Sequence, residues 1–600
     1  NSGSGTMSNL TMTYDTPKNL TTNTFTKTGY EFLGWNTNKD ATTAEYTDGE
    51  EVNNLTVTNG ETVTLYAIWR KTITISYNAN GGEGAPGSQT GTMYNSATTA
   101  SITISNTKPT RSGYIFDGWS TSSTATTATY QSGSTYQFSD SDTLYAVWTL
   151  AIAQIESTLY PSLESAVAAV PTTGTQTTIT MLQNTKESVE MASTKNIKLN
   201  VNSKTITGAS GSTITNRGTL QIYGGTVTNA ATGNSTIGNY GKLSITSGTI
   251  SSTGNVVITN WGGANTTISG STTKITGSAS QPTINNLANG TVSVSAGTIS
   301  SSKYSAFNNA GTATITGSGS KFTGTAAQPT INNLSNGTIT ISGGSFTSSK
   351  DSALYNYGTA TIYGGTFSST MGNQWVVYHP SGNMRITGGT FTLTNSSGAS
   401  NPNGTGILID GGAFEMVGGT VNSIAYGVAV RNTSGAILRS TTVQSSSANY
   451  PTVCTYDREL DVYSCTIKNT ASNATAVQLI SPTTNKTAIR LYDCATTGKM
   501  NNGVVLVNKT STGYQVRLFP RTTAQPSSVR MASWTTASGQ NDLKWNSMSK
   551  YSTSGSATGS AFTYTVLKSD HGNATGEYNS HIYVTVNGSE YLFTGFTYTI

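Results

Sequence analysis

One polar column of the sequence carries side chains that could do chemistry. Asparagine recurs at intervals of 21–26 residues, and His379 and then Asp410 continue the column. A histidine beside a carboxylate is a pair that general acid–base catalysis uses. Asparagine, however, tolerates left-handed turn backbone, and stacked amides hydrogen-bond to one another. We therefore expect a structural ladder in which His379 and Asp410 are replacements. Its members are Asn216, Asn239, Asn260, Asn286, Asn309, Asn333 and Asn356.

The acidic residues offer a second chemistry, because enzymes that cleave polysaccharides need clustered carboxylates for calcium or paired acids for hydrolysis. Residues 200–400 contain very few, and Asp351 stands alone there. The densest acidic cluster, Asp457, Glu459 and Asp461, is also typical of a charged turn. We expect no catalytic residue, no metal site and no cofactor. The alternative is a carbohydrate-active or glycan-binding solenoid.

A short repeat must position these columns. GTLQIYGGTVTN (218–229), GKLSITSGTISS (241–252) and GTITISGGSFTS (337–348) share one pattern of short strands, with Gly-Gly and Asn-Gly at the bends. A period near 23 residues with three strands per turn stacks each strand on its equivalent about 4.8 Å away. The pattern predicts a right-handed parallel β-helix over residues 196–514, with about 13 rungs and a length on the order of 60 Å.

Three sets of apolar residues recur with this period and should face the interior. The first set is Leu220, Leu243, Val292 and Ile339. The second set is Val227, Ile250, Ile299, Phe346, Phe367 and Phe391. The third set is Ile214, Ile237, Ile258, Ile284, Phe307 and Ile331.

A single helix is predicted just before the solenoid, within residues 153–170. Ser162 is a plausible N-cap, and Pro171 ends the pattern. A helix with one apolar face is well placed to cover the open end of a solenoid, so residues 150–195 are assigned to a capping helix and the first strands. The apolar positions on that face are Leu163, Ala166, Val167 and Val170.

Composition excludes several functional classes. Charged residues make up 10% of the 600 residues, and the net charge is +5 with the basic residues scattered singly, so nucleic acid is not an expected partner. No apolar run approaches the length of a membrane helix. The chain has three cysteines. Cys465 and Cys494 fall at equivalent places in neighbouring rungs, where either stacked thiols or a disulfide would fit.

The first 149 residues contain two copies of one motif. TGYEFLGWNTN (28–38) recurs as SGYIFDGWSTS (112–122), and VTLYAIW recurs as DTLYAVW. These residues resemble the internalin-type B repeat, or Listeria–Bacteroides repeat, which implies small β-grasp-like modules of secreted bacterial surface proteins. Residues 1–70 and 71–149 are assigned to one repeat each. Four tryptophans are expected in the cores of these small domains rather than on a sugar-stacking surface. They are Trp35, Trp69, Trp119 and Trp148.

The repeat pattern stops after about residue 514. The motif W-x-x-x-x-G-Q-N-D-L-x-W, followed by D-H and G-x-Y-x-x-H-I-Y, resembles the GBS Bsp-like repeat. The resemblance implies a β-sandwich module of Gram-positive surface proteins over residues 515–600. Its motif residues could form a ligand site, although core packing is the favoured interpretation. They are Trp534, Trp545, His571, Tyr578 and His581.

The resemblances and the periodicity together indicate one class. The chain is predicted to be all-β: two small β-grasp-like repeats, a right-handed parallel β-helix with an N-terminal capping helix, and a C-terminal β-sandwich. We expect a structural or adhesive protein of a bacterial surface, extracellular, with itself, other surface proteins or host and cell-wall glycans as partners. Threonine rows such as Thr226 and Thr228 make an ice-binding solenoid a minor alternative.

The first motif copy differs from the second in one respect. Aligned with the second copy, it lacks the strand that KTITISYN supplies. Either longer upstream sequence or a strand from another subunit would fill such a gap, and the latter would build a head-to-tail filament. The alternating segment Phe596, Thr597, Tyr598, Thr599 and Ile600 is a possible donor strand.

Overall fold

The computed structural model describes residues 1–395, 397, 399, 403–433, 435–480, 488–520, 525–551 and 561–600. Strands make up 51% of it and helices 3%, so the predicted all-β class is confirmed. The chain divides into two compact units, Asn1–Ser162 and Leu163–Ile600.

The first unit holds the two motif copies, and one long strand belongs to both. Tyr66–Asn78 pairs antiparallel with Glu31–Asn36 through its first half and parallel with Asp142–Leu150 through its second half. The other strands of this unit are Lys18–Asn19, Glu51–Val52, Gln89–Tyr94, Ala100–Thr103, Tyr114–Ser120, Thr135–Phe138, Ala153–Ile155 and Thr158–Tyr160.

Tryptophan side chains fill the cores of this unit. Trp35, Trp69 and Trp119 are only 6%, 3% and 0% exposed, which confirms their predicted place in the core. Trp148 packs against the same core as Trp119. The Phe116 ring lies edge-on to both, with centroids 5.2 Å from Trp119 and 5.6 Å from Trp148. Such edge-to-face contacts add to the burial of large apolar area that a small domain needs.

The two copies differ where the sequence alignment shows a gap. In the second copy, residues 75–78 pair with residues 142–145, and Leu144 is fully buried. The corresponding residues of the first copy, 63–65, lie outside any strand, and Leu65 is partly exposed. Among the described residues, therefore, the strand that covers Leu144 has no counterpart beside Leu65.

The second unit begins with the helix Leu163–Ala169, within the predicted segment. Its residues Leu163, Ala166 and Val167 are buried, and it packs against the strands Thr177–Met181 and Val189–Met191. The backbone N–H groups of Leu163 and Glu164 donate to the carboxylate of Glu187, at 3.2 and 3.1 Å. A carboxylate from a neighbouring turn therefore satisfies N–H groups at the positive end of the helix.

Three columns of parallel strands follow, and together they form the predicted solenoid of about 13 turns. The first column contains Thr177–Met181, Asn196–Asn200, Thr219–Tyr223, Lys242–Ile245, Asn265–Ile268, Thr338–Ile341, Thr359–Ile362, Asn383–Ile386, Ala413–Met416, Ala436–Arg439, Leu460–Tyr463, Ile489–Tyr492 and Val504–Lys509. The second contains Thr185–Lys186, Thr205–Thr207, Thr226–Asn229, Thr249–Ser252, Lys274–Gly277, Ser345–Ser348, Thr366–Ser369, Thr390–Leu393, Thr420–Ser423, Thr442–Ser445, Thr466–Asn469 and Ala495–Thr497.

Two longer strands, Thr291–Ser301 and Thr312–Gly324, pass through the bend and belong to both of these columns. The third column contains Val189–Met191, Ile214–Asn216, Ile237–Asn239, Ile258–Asn260, Ile284–Asn286, Phe307–Asn309, Ile331–Asn333, Leu354–Asn356, Val377–His379, Thr405–Ile409, Tyr426–Val430, Val453–Tyr456, Thr475–Ile480 and Lys499–Asn501.

The register of these strands places the predicted apolar sets in continuous stacks. In the second set, Phe322 lies between Ile299 and Phe346, a position that the sequence interpretation left empty. The rings of Phe322, Phe346, Phe367 and Phe391 stack with centroid distances of 5.3, 4.5 and 4.9 Å. All four are at most 1% exposed, so the inward assignment is confirmed.

The C-terminal segment is a two-sheet sandwich, and one of its sheets continues the first strand column. Val504–Lys509 pairs antiparallel with Gly513–Phe519, which pairs with Ala561–Leu567 and, through it, Ser549–Tyr551. The second sheet has the strand order Lys544–Ser547, Ser528–Thr535, Glu577–Val586 and Ser589–Thr599. Short 3-10 helices occur at Gly539–Asp542 and Lys568–His571.

The possible donor segment lies inside this sandwich. Phe596 and Tyr598 belong to its buried core and pair with Ser580 and Tyr578 of the neighbouring strand. The Tyr598 hydroxyl donates to the carboxylate of Asp493 at 2.8 Å. Phe596–Ile600 is thus engaged in the chain's own fold, and the segment is not a free strand.

We expect Phe367→Ala to be strongly destabilising, by about 3–5 kcal/mol, because it opens a cavity between two stacked rings. Tyr363→Ala, on a side chain that is 56% exposed, should change stability by no more than about 0.5 kcal/mol. Urea unfolding followed by hydrogen exchange in the flanking strands would measure both, since repeat arrays need not unfold in one step. Equal effects of the two substitutions would contradict the core assignment.

Candidate functional site

The asparagine column forms an unbroken chain of side-chain hydrogen bonds. From Asn216 to Asn356, the Nδ2 group of each asparagine donates to the Oδ1 atom of the next, at distances of 2.7 to 2.9 Å. All seven side chains are fully buried. Since each bond spans one rung, the column links seven successive rungs through side chains as well as through backbone.

Each amide also satisfies turn carbonyls. Asn333 Nδ2 donates to the Gly337 carbonyl in its own rung at 3.2 Å and to the Thr359 carbonyl in the next rung at 3.1 Å. Gly337 must be glycine, because a Cβ there would lie 2.3 Å from the Asn309 carbonyl oxygen and 2.4 Å from Asn333 Oδ1. The ladder therefore fixes the turn as well as the register.

One member of the network was not found from the sequence. Thr266 occupies the first apolar column between Leu243 and Val292, yet it is fully buried. Its hydroxyl donates to Asn260 Oδ1 at 2.8 Å and lies 3.0 Å from Asn239 Nδ2 as an acceptor. The sequence does show a threonine in an otherwise apolar column. Since a buried hydroxyl requires a hydrogen-bond partner, this threonine indicates a polar contact inside the solenoid.

His379 continues the ladder. It is fully buried, and its Nε2 atom lies 3.0 Å from the Ala413 carbonyl, which can only accept. Its Nδ1 atom lies 3.1 Å from Asn356 Nδ2 and 3.2 Å from the Asn356 carbonyl oxygen, so both ring nitrogens have polar partners within hydrogen-bonding distance. Burial lowers the pKa of His379 below its ordinary value. The side chain serves as a neutral ladder member with both ring nitrogens occupied.

Asp410 does not occupy this column, and that prediction is wrong. His379 pairs in register with Ile409, so Asp410 is displaced by one residue and its side chain leaves the column. Arg431 Nε and Asn432 Nδ2 donate to Asp410 Oδ1, each at 2.6 Å, and the Tyr378 hydroxyl donates to Oδ2 at 3.0 Å. Burial acts to raise the pKa of Asp410, but the bonds from Arg431 and Tyr378 outweigh it and leave the pKa lowered.

The acidic cluster around residue 460 surrounds a buried arginine. Arg490 donates to Asp461 Oδ1 at 2.6 Å and to Glu459 Oε2 at 3.1 Å, and it also contacts the Thr594 hydroxyl at 3.3 Å. The Arg490 side chain is only 10% exposed. The carboxylates thus neutralise a cation between the solenoid and the sandwich, which is a structural role for this charged turn.

The three cysteines are free thiols, and all are buried. Cys465 and Cys494 lie at successive rungs as predicted from their spacing, next to the paired residues Thr466 and Ala495. The hydrogen bond between the two thiols raises the pKa of Cys494, and burial adds to this effect. Of the two predicted states, stacked thiols or a disulfide, the structure contains the thiols.

The motif residues of the C-terminal module lie on two sides of one sheet, with His571 on a 3-10 helix that contacts the inner side. His571 and Tyr578 point into the sandwich core. His571 Nδ1 lies 3.2 Å from Asp542 Oδ2, and its Nε2 lies 3.1 Å from Ser533 Oγ. A serine, histidine and carboxylate in this order can activate a nucleophile, but Ser533 is fully buried and no substrate could reach it. The network instead joins the loops to the sheet.

The other motif residues lie on the outer face of that sheet. Trp545 is 47% exposed, and its ring centroid lies 5.1 Å from that of Tyr583. The guanidinium of Arg530 lies over the Trp545 ring at 4.8 Å. Trp534 and His581 meet edge to face at 4.9 Å, and burial lowers the pKa of His581. These four rings together with Arg530 are called the aromatic face below.

Within the described part of the chain, no group of three or more His, Cys, Asp or Glu side chains could hold a metal ion. No helix there is long and apolar enough to span a bilayer.

Comparison with known proteins identifies both ends of the chain. The family model of the Listeria-Bacteroides repeat domain (List_Bact_rpt) matches residues 1–68 and 74–147. The family model of the GBS Bsp-like repeat matches residues 505–599. Both resemblances seen in the sequence are thereby confirmed. Searches of the curated proteins and of the solved structures gave no match.

The two matched families occur in the same kind of protein. Both kinds of repeat occur in bacterial surface and extracellular proteins, where they are non-enzymatic modules. The second match begins at residue 505, where the first antiparallel pair of the sandwich starts. The chain therefore joins repeats of two families that are typical of bacterial surface proteins to a central parallel β-solenoid.

We expect Asn333→Ala to destabilise the solenoid by about 1–3 kcal/mol, because the substitution removes the buried amide that accepts from Asn309 and donates to Asn356, Gly337 and Thr359. The matched control is Asn336→Ala, the same change at an exposed position of the adjacent turn. Chemical unfolding of both variants checks the expectation. A control variant as unstable as Asn333→Ala would show that the ladder contributes nothing specific.

His379 should make the fold sensitive to acid. Above about pH 6.5 the side chain is neutral in both states, whereas below it the unfolded chain takes up a proton that buried His379 does not. The unfolding free energy should therefore fall, by at most about 1.4 kcal/mol per pH unit from this group. His379→Asn keeps a ladder amide and should flatten the slope between pH 7 and pH 5, while Asn336→Ala should leave it unchanged. Identical slopes in all three proteins would contradict the assignment.

Proposed function

We propose that the protein is an extracellular structural and adhesive protein of a bacterial surface, in which the solenoid acts as a stiff spacer. The observation that carries the proposal is the uninterrupted ladder from Asn216 to Asn356, flanked by stacked apolar columns. Such an interior resists bending, because any opening between rungs breaks backbone pairs, amide bonds and ring contacts together.

The terminal modules support this proposal. Repeats of both matched families occur in proteins of bacterial surfaces, which is where a spacer would hold a contact surface away from the cell. The adhesive role, the extracellular location of this chain and its assembly into fibrils with copies of itself belong to the proposal.

The residues that first suggested catalysis are occupied in structural contacts. His379 is a ladder member, Asp410 is held by Arg431, and Asp461 is held by Arg490. Asp351 is 8% exposed and accepts from the Tyr355 hydroxyl at 3.0 Å, and burial raises its pKa. These groups lack the accessible, convergent arrangement that polysaccharide cleavage needs, which favours the structural proposal over the enzymatic alternative.

A deletion that joins two identical segments of the solenoid tests its role as a spacer. The sequence QPTINNL occurs at 281–287 and at 328–334, so deleting residues 281–327 joins identical segments and lets Ile331 take the place of Ile284. The variant should fold and be shorter by two rungs, about 10 Å. Beads coated with it should adhere to cultured host cells as firmly as beads coated with the full chain, and better than albumin-coated beads.

Two outcomes would overturn the proposal. One is that neither the full chain nor the shortened variant adheres above albumin. The other is turnover, seen as new reducing ends or unsaturated products when the protein is incubated with pectin- or mucin-type polysaccharides in the presence of calcium.

A further inference from the structure

The aromatic face is an exposed surface with an unusual composition for a small soluble module. Four rings and a guanidinium lie on the outer side of three adjacent strands. The most exposed of these rings, that of Trp545, is 47% exposed. Large apolar rings left on a sheet surface cost hydration free energy, and contiguous patches of this kind generally mark a binding site.

Small residues shape the surface beneath the rings. Ala532 pairs with Trp545 on one side and His581 on the other, and it is only 2% exposed. Gly595 pairs with His581, and a Cβ at Gly595 would lie 2.8 Å from His581 Cδ2. The sheet thus leaves room for rings to lie across it, and rings fixed in this way lose little entropy when a ligand binds.

An ion pair borders the rings. Arg530 donates to Glu590 through two bonds of 2.8 and 2.6 Å, and the two side chains remain 45% and 34% exposed. A paired arginine and glutamate present fixed donors and acceptors with no net charge. Glu590 would repel an acidic ligand and Arg530 would repel a basic one. A neutral ligand rich in hydroxyl groups can hydrogen-bond to both side chains.

We infer that the aromatic face binds a neutral glycan chain, and this inference rests on the proposed adhesive function. Sugar rings carry apolar C–H faces that stack on aromatic rings, and their hydroxyls donate and accept hydrogen bonds at the rim, as Arg530 and Glu590 require. The strands that carry Trp545 and His581 are two strand spacings apart, about 10 Å. That span fits a short stretch of glycan and is small for a protein partner, which covers about 800 Å².

The full chain should be tested on an array of neutral oligosaccharides of glucose, galactose, mannose and N-acetylglucosamine, together with uronate- and sialate-bearing ones. We expect binding to neutral glycans, and calorimetric titration with the best of them should give about tenfold weaker affinity for Trp545→Ala. Trp545→Phe, which keeps a ring, should lose less. Tyr363→Ala removes a 56% exposed aromatic from the solenoid and should bind like the wild type. Circular dichroism checks that each variant folds.

Several results would overturn the inference: no glycan bound, binding confined to acidic glycans, or equal affinities for the wild type and a folded Trp545→Ala variant. Self-association of the wild type that Trp545→Ala abolishes in sedimentation would do the same, because the face would then bind a second copy. Failure here is separate from failure of the proposed function. Beads coated with Trp545→Ala that still adhere to host cells would leave adhesion standing, whereas polysaccharide turnover would remove the proposed function whatever the face binds.

Discussion

In-register stacking of one rung on the next is the constraint on which the second unit depends. Each strand of the solenoid pairs with its equivalent one rung away, so every side chain meets the same position of its neighbour. Phe367 lies between Phe346 and Phe391 for this reason, and Asn333 lies between Asn309 and Asn356. Each side chain therefore packs against the equivalent side chains of two neighbouring rungs. Side chains of the same type pack well in this arrangement, and long uniform columns result.

The asparagine ladder adds a second constraint on register to that of the apolar columns. A shift of one residue would turn the buried apolar side chains outward, and it would also leave buried amides without their partners, which is expensive. The ladder runs until Asn356 and His379 and then ends, because Ile409 follows in register. Beyond this point the polar network lies outside the column. Tyr378 and Arg431 donate hydrogen bonds to Asp410 there.

The sequence predicted most of this fold because the repeat makes each position visible many times. The apolar sets, the asparagine column and both terminal modules were all recognisable from patterns of residues. Asp410 was misplaced because the rung between His379 and Ile409 is longer than its neighbours, and counting along the sequence does not reveal where the extra residues loop out. Thr266 was missed because it interrupts an apolar column, and its partners Asn239 and Asn260 are distant in sequence.

The C-terminal motif shows a different limit of sequence interpretation. The periodicity of a strand decides which face of the sheet each motif residue occupies. Tyr578 and His581 are three residues apart in one strand, so they must face opposite sides of the sheet, one into the core and one outward. Treated as one set, the motif residues suggested a single ligand site; separated by face, they form a core network and an aromatic face.

The core side of the sandwich is continuous with the solenoid, since Tyr492, Val505 and Val507 belong to the sandwich core and Arg490 reaches Thr594. The sandwich therefore covers the last rung of the solenoid and removes an exposed sheet end. The same contacts fix the outer sheet to the solenoid, so a ligand bound there would pull on the whole stack of rungs.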